Sequence, residues 1–297
     1  MMESLTGIVA FVRAAEALSF VGAGRLLGIS ASAVGKNVSA LERSLGVRLL
    51  HRSTRRVNLT AEGRLFYDRC RRILEDLNDA EAMISQSAST PRGRLKVSLP
   101  TAGHRFLVPV LPQFCQLYPE IELDLDFTDR LVDLIDEGVD VAIRSGTLPD
   151  TRLMSRKLGP FRFLLCASGA YLARRGIPQK PKDLEAHSCL RFRFPGGEAL
   201  QDWSLSTTGD VAVAKTPQSA SFTNLEAIRL AAVLGLGIAH LPDFVARDAI
   251  ADGLLQSLLD EYLLEPAYFS AVWPSSRQLS PKIRVFVDFA AAHLFTS

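Results

Sequence analysis

Arg48, His51, Arg52, Arg55 and Arg56 crowd nine residues that hold no acid. Guanidinium groups at that density suit phosphate oxygens, or the enhanced negative potential of a narrow minor groove. Just upstream, residues 31–45 read as a helix with two unlike faces. Val34, Val38, Leu41 and Leu45 recur at spacings of 4, 3 and 4 and make its apolar stripe. The opposite face carries Ser32, Ala33, Lys36, Asn37 and Ala40, and Ser30 stands at its entry. Short, polar and singly basic, this face suits a major groove about 12 Å wide, where it would offer donors to base edges. A polar helix face alone is more often merely solvated. The arginine-rich segment that follows reverses that balance.

Other chemistries find no anchor. No GxxxxGK[ST], HExxH or GxSxG motif is present, so phosphate-loop, zinc-protease and nucleophile-elbow readings fail. Gly22, Gly24 and Gly28 nearly mimic a dinucleotide fingerprint, but the last spacing is wrong and no strand precedes them. Cys70, Cys115, Cys166 and Cys189 lack CxxC spacing, and His104, His187, His240 and His293 lie far apart. No catalytic residue, metal site or cofactor is therefore expected, and scattered thiols suit a reducing cytosol.

Several elements must position the basic segment. Residues 5–17 read as a first helix with Leu5, Ile8, Val9, Val12 and Ala15 on one face. Ser19 N-caps a second helix reaching about residue 27, and Gly28-Ile29-Ser30 turns the chain into the third. After Gly46, two short strands at 48–52 and 56–59 flank Ser53-Thr54-Arg55. Two helices joined by a tight turn, then a ribbon, make a winged helix-turn-helix. Thr60 caps a long helix over residues 61–87, whose positive end Glu62 favours. Along it Phe66, Cys70, Ile73, Leu77, Ala80 and Ile84 alternate at 4 and 3, a seam that seeks a partner helix. Packing on the chain's own domain is the rival, and Cys70 reads as a packing residue rather than a redox switch. Arg64, Arg69, Arg71 and Arg72 add charge at the start of this helix.

The charge balance divides the same way. The chain has 297 residues, enough for two folded units, and a net charge of +2. Residues 1–72 hold 12 basic and 5 acidic side chains, or +7, which leaves 22 basic and 27 acidic, or −5, for the rest. A basic head on an acidic body points to an anionic polymer as the head's partner. The longest stretch without Asp, Glu, Lys or Arg is 14 residues, 106–119, and three prolines interrupt it. That is too short to span a membrane. Charges within the first twenty residues also leave no room for the apolar core of a secretory signal, so a cytoplasmic protein is expected.

Beyond the breaker-rich 87–93, strands alternate with helices: strand 95–99, helix 105–117, strand 121–127, helix 131–137, strand 139–143. A second such unit runs over 164–264, with a helix at 224–234 and a strand at 237–241. Segment 268–273 and a final helix at 281–295 return to the first unit. This is an α/β pattern with a mostly parallel sheet, which collects ligands at the carboxyl ends of its strands. Thr101, Thr128 and Asp129, then Arg144 and Ser145, follow the first three strands. Phe222 and Asn224 precede a helix in the second unit. Arg144 could clamp a carboxylate, with an ion pair to Asp140 as the rival, and free amides and the Thr101 hydroxyl could meet an anion at the start of the next helix. Asp129 would repel an anion unless it caps a helix or pairs with Arg130.

The run from Phe20 to Arg56 resembles the head of a LysR-type transcriptional regulator. The Leu41-Glu42 pair, Leu45-Gly46, Leu49-Leu50-x-Arg52 and Leu59-Thr60-x-x-Gly63 carry the likeness most specifically. Gly22 and Gly24 depart from it, because the family more often has alanine there; that predicts a locally soft second helix. The resemblance implies a winged helix-turn-helix domain over residues 1–60, a linker and dimerisation helix over 61–90, and a two-lobed, periplasmic-binding-protein-like effector domain over 91–297. Its first lobe takes residues 91–163 and 266–297, its second 164–265.

The implied function is sequence-specific regulation of transcription, modulated by a small organic effector held between the lobes. Double-stranded DNA would be met by Ser30, Ser32, Ala33, Lys36, Asn37, Arg52, Arg55 and Arg56, and the effector by Thr101, Thr128, Arg144, Ser145, Phe222 and Asn224. Phe66, Ile73, Leu77 and Ile84 would form the homodimer, with homotetramers or larger assemblies through the body, and RNA polymerase is a further partner. The competing readings are an enzyme with a DNA-binding head and a DNA-bound architectural protein. The first needs a catalytic constellation after residue 95, and none is visible.

Overall fold

The computed structural model describes residues 2–52, 57–84, 90–130, 133–146, 152–207, 210–214, 216–275 and 280–295. The chain forms two compact units, Met1–Ser89 and Thr90–Ser297.

In the first unit, α1 (Met2–Ala17), α2 (Phe20–Leu27) and α3 (Ala31–Leu45) precede a hairpin of β1 (Leu50–Arg52) and β2 (Val57–Leu59), and α4 (Ala61–Ile84) completes it. The helices assemble because their apolar faces meet: Phe11, Val12, Ala23, Val34, Val38 and Leu41 are buried in one core with Leu49, Leu50 and Val57. Leu45, expected in the α3 stripe, and Leu5 are exposed instead. Both lie at the outer turns of their helices, beyond what the opposing surfaces cover.

The sequence signatures turn out to be locks. The Glu42 carboxylate accepts from the amides of Leu49 and Leu50 at 2.9 and 3.1 Å, which ties α3 to the start of the hairpin. The Thr60 hydroxyl donates to the Arg48 carbonyl and accepts from the Gly63 amide, both at 2.8 Å. A Cβ at Gly63 would stand 1.9 Å from the Leu49 carbonyl oxygen, so no other residue fits there. Gly24 has a similar reason: its Cβ would meet the Ile29 carbonyl oxygen at 2.6 Å. The glycine lets the turn close on α2, so it marks tight packing rather than the expected softness.

Among its described residues the second unit has two five-stranded sheets and a separate two-stranded ribbon. β3 (Gly93–Leu99) is followed by α5 (His104–Leu107), α6 (Leu111–Leu117), β4 (Ile121–Phe127), β5 (Val141–Ser145) and β6 (Leu153–Phe161). The chain then crosses to β7 (Phe163–Ala167), α7 (Gly169–Arg175), β8 (Cys189–Phe192), β9 (Ser204–Thr207), β10 (Asp210–Val213) and β11 (Gln218–Phe222). It continues through α8 (Leu225–Val233), β12 (Ile238–Pro242), α9 (Asp243–Ala251) and β13 (Gln256–Leu258), then returns with β14 (Ala267–Pro274) and α10 (Pro281–His293). The first sheet has the order β4-β3-β5-β14-β6 and the second β11-β8-β12-β7-β13. Each is parallel over three strands and antiparallel over the two added by the crossing segments. Leu95, Val97, Val141 and Ile143 meet Phe286 and Ala290 of α10 in the first lobe's core. Leu190, Ala239 and Leu241 meet Ile228 and Val245 in the second.

Several local expectations fail for identifiable reasons. The helix read over 105–117 is broken into α5, a 3-10 turn at Val108–Val110 and α6, with Pro109 and Pro112 at the starts of the later pieces. Proline has no amide to donate and fits only such starts. The helix read over 131–137 is a single turn where it is described, residues 134–138. The Asp133 carboxylate takes the amides of Ile135 and Asp136, in competition with a helical ladder. β5 runs two residues further than expected, so Arg144 and Ser145 end the strand rather than follow it.

Candidate nucleic-acid interface and interlobe cavity

Val34 and Val38 are wholly buried, which fixes the rotation of α3 and turns Ser32, Lys36 and Ala40 outward, with Ala33 and Asn37 half-buried beside them. Ser30 caps the helix, its hydroxyl accepting from the Ala33 amide at 3.1 Å. That contact uses one lone pair and leaves the exposed hydroxyl proton for a phosphate or base. The hairpin is in register from Leu50 opposite Leu59 to Arg52 opposite Val57. Arg55 and Arg56 lie outside the described residues, as does the side chain of Arg52. The exposed Arg48 and His51 are the part of the basic segment whose side chains are described.

The α4 seam divides. Phe66 packs on Phe11 with ring centroids 5.7 Å apart, and Cys70 is buried in the same core. Burial pushes the Cys70 thiol up to about 11, which suits packing and not reactivity. The expectation that Phe66 faces a second chain is therefore corrected, because the first turns of α4 close the head's own core. Ile73 and Leu77 remain 56% and 43% exposed, and the Ile84 side chain lies outside the described residues.

In the second unit a cavity of about 240 Å³ opens between the two sheets, at the ends of β3, β4 and β5. The first lobe contributes Thr128, Asp129, Arg144 and Ser145, with Pro100 and Ala102 beside them. Phe161 and Phe163 come from the crossing segment, Phe192, Phe194 and Gln201 from the second lobe, and Phe244 and Phe269 also line it. Arg144 donates to the Ser98 hydroxyl at 2.8 Å and the Ile143 carbonyl at 3.1 Å. Burial of its guanidinium lowers its pKa, and the charges of Asp129 and Asp126 oppose that shift. The expected rival, Asp140, instead accepts from the Lys96 amide at 2.8 Å.

Three expected contacts are not brought to this cavity. The Thr101 amide donates to Asp129 at 3.0 Å, so it is not free for an anion, and Thr101 is absent from the walls. Asn224 caps α8, its side-chain oxygen accepting from the Ala227 amide at 3.0 Å. Phe222 packs on the second lobe's core. Both serve the entry of α8 into its own lobe, and Leu225, one residue further on, reaches the cavity.

Two features escaped sequence reasoning. One is the aromatic lining, whose available signal is a repeated Phe-Arg-Phe, at 161–163 and 192–194. The other is an ionic clamp between lobes: Arg105 grips both oxygens of Glu226 at 2.5 and 2.9 Å and reaches Asp248 at 3.0 Å. Hydrogen bonding from Arg105 holds the Glu226 carboxyl below its ordinary pKa, helped by Arg229. Partners 121 residues apart leave no local trace in the sequence.

Among the described residues, no group of His, Cys, Asp and Glu could hold a metal ion. Likewise, no helix there is long and apolar enough to cross a membrane.

Comparison with known proteins matches both units. Residues 5–64 fit the bacterial regulatory helix-turn-helix protein family of lysR type, and residues 88–295 fit the LysR substrate binding domain. The transcriptional regulator CrgA of Neisseria meningitidis serogroup C is 36% identical over 290 residues, 97% of this chain and 96% of its own. The transcriptional activator AaeR of Escherichia coli is 33% identical over 97% of this chain and 93% of its own. The solved structure of Neisseria meningitidis CrgA aligns with a TM-score of 0.63 and 34% identity, covering 96% of this chain and 97% of that one. The full-length Vibrio cholerae virulence activator AphB aligns at 0.61 with 28% identity, over 99% and 100% of the two chains. With a winged head, a two-lobed α/β body and these likenesses along its length, the chain belongs to the LysR family: it is a DNA-binding transcriptional regulator with an effector-binding domain, not an enzyme.

Proposed function

We propose that the protein acts in the cytoplasm as a homo-oligomer that reads its operator with the exposed face of α3 and answers to a small organic effector held between its lobes. The observation that carries this reading is an outward Ser32–Lys36 face on α3, with Asn37 half-buried beside it, together with a cavity between the lobes lined by Arg144, Ser145 and Thr128. Lys36 and Asn37 address base edges, while Arg52, Arg55 and Arg56 hold phosphate or minor groove. Ile73 and Leu77, exposed on α4, offer the apolar surface for a second chain, so that two heads meet two half-sites. Further pairing of dimers and contact with RNA polymerase belong to the same reading. An effector shifts the protein only as far as it binds one lobe setting more tightly than another.

Footprinting on DNA flanking the gene, followed by anisotropy titrations at several salt concentrations, tests the DNA half. Asn37→Ala should change sequence preference, at a cost of about 1–3 kcal/mol on the best site. Arg55→Ala should weaken all sequences alike and reduce the salt slope by about one unit or less. An unchanged preference in Asn37→Ala would remove α3 from the role of reader.

A further inference from the structure

The walls of the interlobe cavity specify an occupant more narrowly than its place in the fold does. Its volume of about 240 Å³ lies below the usual range for drug-sized ligands, which limits the occupant to a single ring with a short side arm. Six phenylalanines line it. Phe161 stacks on Phe269 at 4.5 Å, and Phe192 meets Phe194 edge to face at 5.4 Å. Rings held in this way favour a further planar ring over an aliphatic body of the same size.

The charged groups come from the first lobe: Asp129, Arg130 and Arg144. Arg130 turns to Glu137 at 3.4 Å, and Asp129 accepts from the Thr101 amide at 3.0 Å. Arg144 has no such partner. Two of its five N–H donors reach the Ser98 hydroxyl and the Ile143 carbonyl, both neutral. Among the described residues no carboxylate forms an ion pair with it; Asp129 and Asp126 act on it only from a distance. Burial outweighs both and lowers its pKa. A partly buried guanidinium without a counter-ion is unfavourable, and an anion that supplies one relieves the penalty. Its remaining donors suit the oxygens of a carboxylate. The Thr128 hydroxyl accepts from the Arg130 amide at 3.3 Å and keeps its proton for the same group. Asp129 also lines the cavity, so a second negative charge on the ligand would be repelled.

We propose that the cavity takes a small aromatic monocarboxylate, with its carboxylate on Arg144 and its ring among the phenylalanines. This rests on the reading of the cavity as the effector site.

Four compounds that differ in one feature each make the test, titrated calorimetrically into the full-length protein: 3-phenylpropanoate, its amide, its cyclohexyl counterpart and phenylalanine. The aromatic acid should bind at least about tenfold more tightly than its amide or than phenylalanine, and about threefold more tightly than the cyclohexyl acid. Arg144→Gln should erase the preference for acid over amide and leave the amide within about twofold of its parent affinity. Phe194→Ala, on the cavity's exposed edge, should weaken acid and amide alike, and it carries the location test if the Arg144 variant unfolds. An amide as tight as the acid overturns the anionic class, and tighter phenylalanine overturns the monoanion in favour of a zwitterion. A cyclohexyl acid of equal affinity overturns the aromatic assignment. In each of these cases a loss of affinity in Phe194→Ala keeps the cavity as the site. Binding of the aromatic acid that is indifferent to both variants places the ligand elsewhere and overturns the cavity reading too. No saturable binding of the aromatic acid below about 1 mM overturns the ligand class by itself.

Discussion

The head draws its candidate contacts from one helix and one hairpin, whereas the cavity in the body collects its walls from both lobes and both crossings between them. In α3, residues 32, 33, 36 and 37 share a face because a helix repeats every 3.6 residues, so their order in the chain already gives their geometry. In the body, Thr128, Phe161, Phe192 and Phe269 meet only because two sheets place them together. A surface built for a long, regular polymer can thus be encoded locally. An enclosure for a small molecule needs chain from several sides.

That contrast makes the head sensitive to a few locks and the body tolerant of single losses. The largest effect is expected at Gly63, where any side chain meets the Leu49 carbonyl oxygen. Gly63→Val should destabilise the N-terminal unit by about 3 kcal/mol or more and abolish operator binding, read by thermal unfolding and anisotropy. Ligand titrations into the same variant should still show an intact body; a loss there would show that the body depends on the head for its fold.

Glu42→Ala should come next, at about 1–3 kcal/mol, because it strands two amides at the start of the hairpin. Hydrogen exchange at Leu49 and Leu50 should accelerate selectively. Uniform acceleration across α1 to α4 would show that Glu42 supports the whole unit and not the junction between α3 and the hairpin.

The smallest effect is expected in the body. Arg105→Ala removes the clamp between lobes, but its partners are partly solvated, so it should cost about 1 kcal/mol or less. Its signature is the pH dependence. The folded-state pKa of Glu226 is depressed, so its contribution is fully present above the ordinary carboxylate value near 4.3 and is lost as pH falls through the folded value. The stability gap between the parent and Arg105→Ala should therefore close below about pH 4. A gap that persists at lower pH would assign the effect of Arg105 to packing of its aliphatic stem.

The stripe Val34–Val38–Leu41, the caps Ser19 and Thr60, and the alternation of strands and helices after residue 93 were all legible from residue types and spacing. Each depends on neighbours within a few residues, where backbone geometry is fixed by local sterics and hydrogen bonding. The break at Pro109 was legible in principle, since proline's missing amide is a property of the residue itself. The role of Phe66 was not: a heptad seam records that a face is apolar, not which surface covers it, and here Phe11 does so. Nor could spacing reveal that Asp129 occupies the Thr101 amide, that Arg105 reaches Glu226, or that four elements bring Phe161, Phe192, Phe244 and Phe269 around one chamber. The sequence by itself determined the helical heads, their polar faces and the two-lobed α/β plan, because periodicity and capping act over a turn or a strand. Tertiary structure alone decided which polar groups already have partners and which walls line the cavity, because those depend on packing between segments from 28 to 143 residues apart.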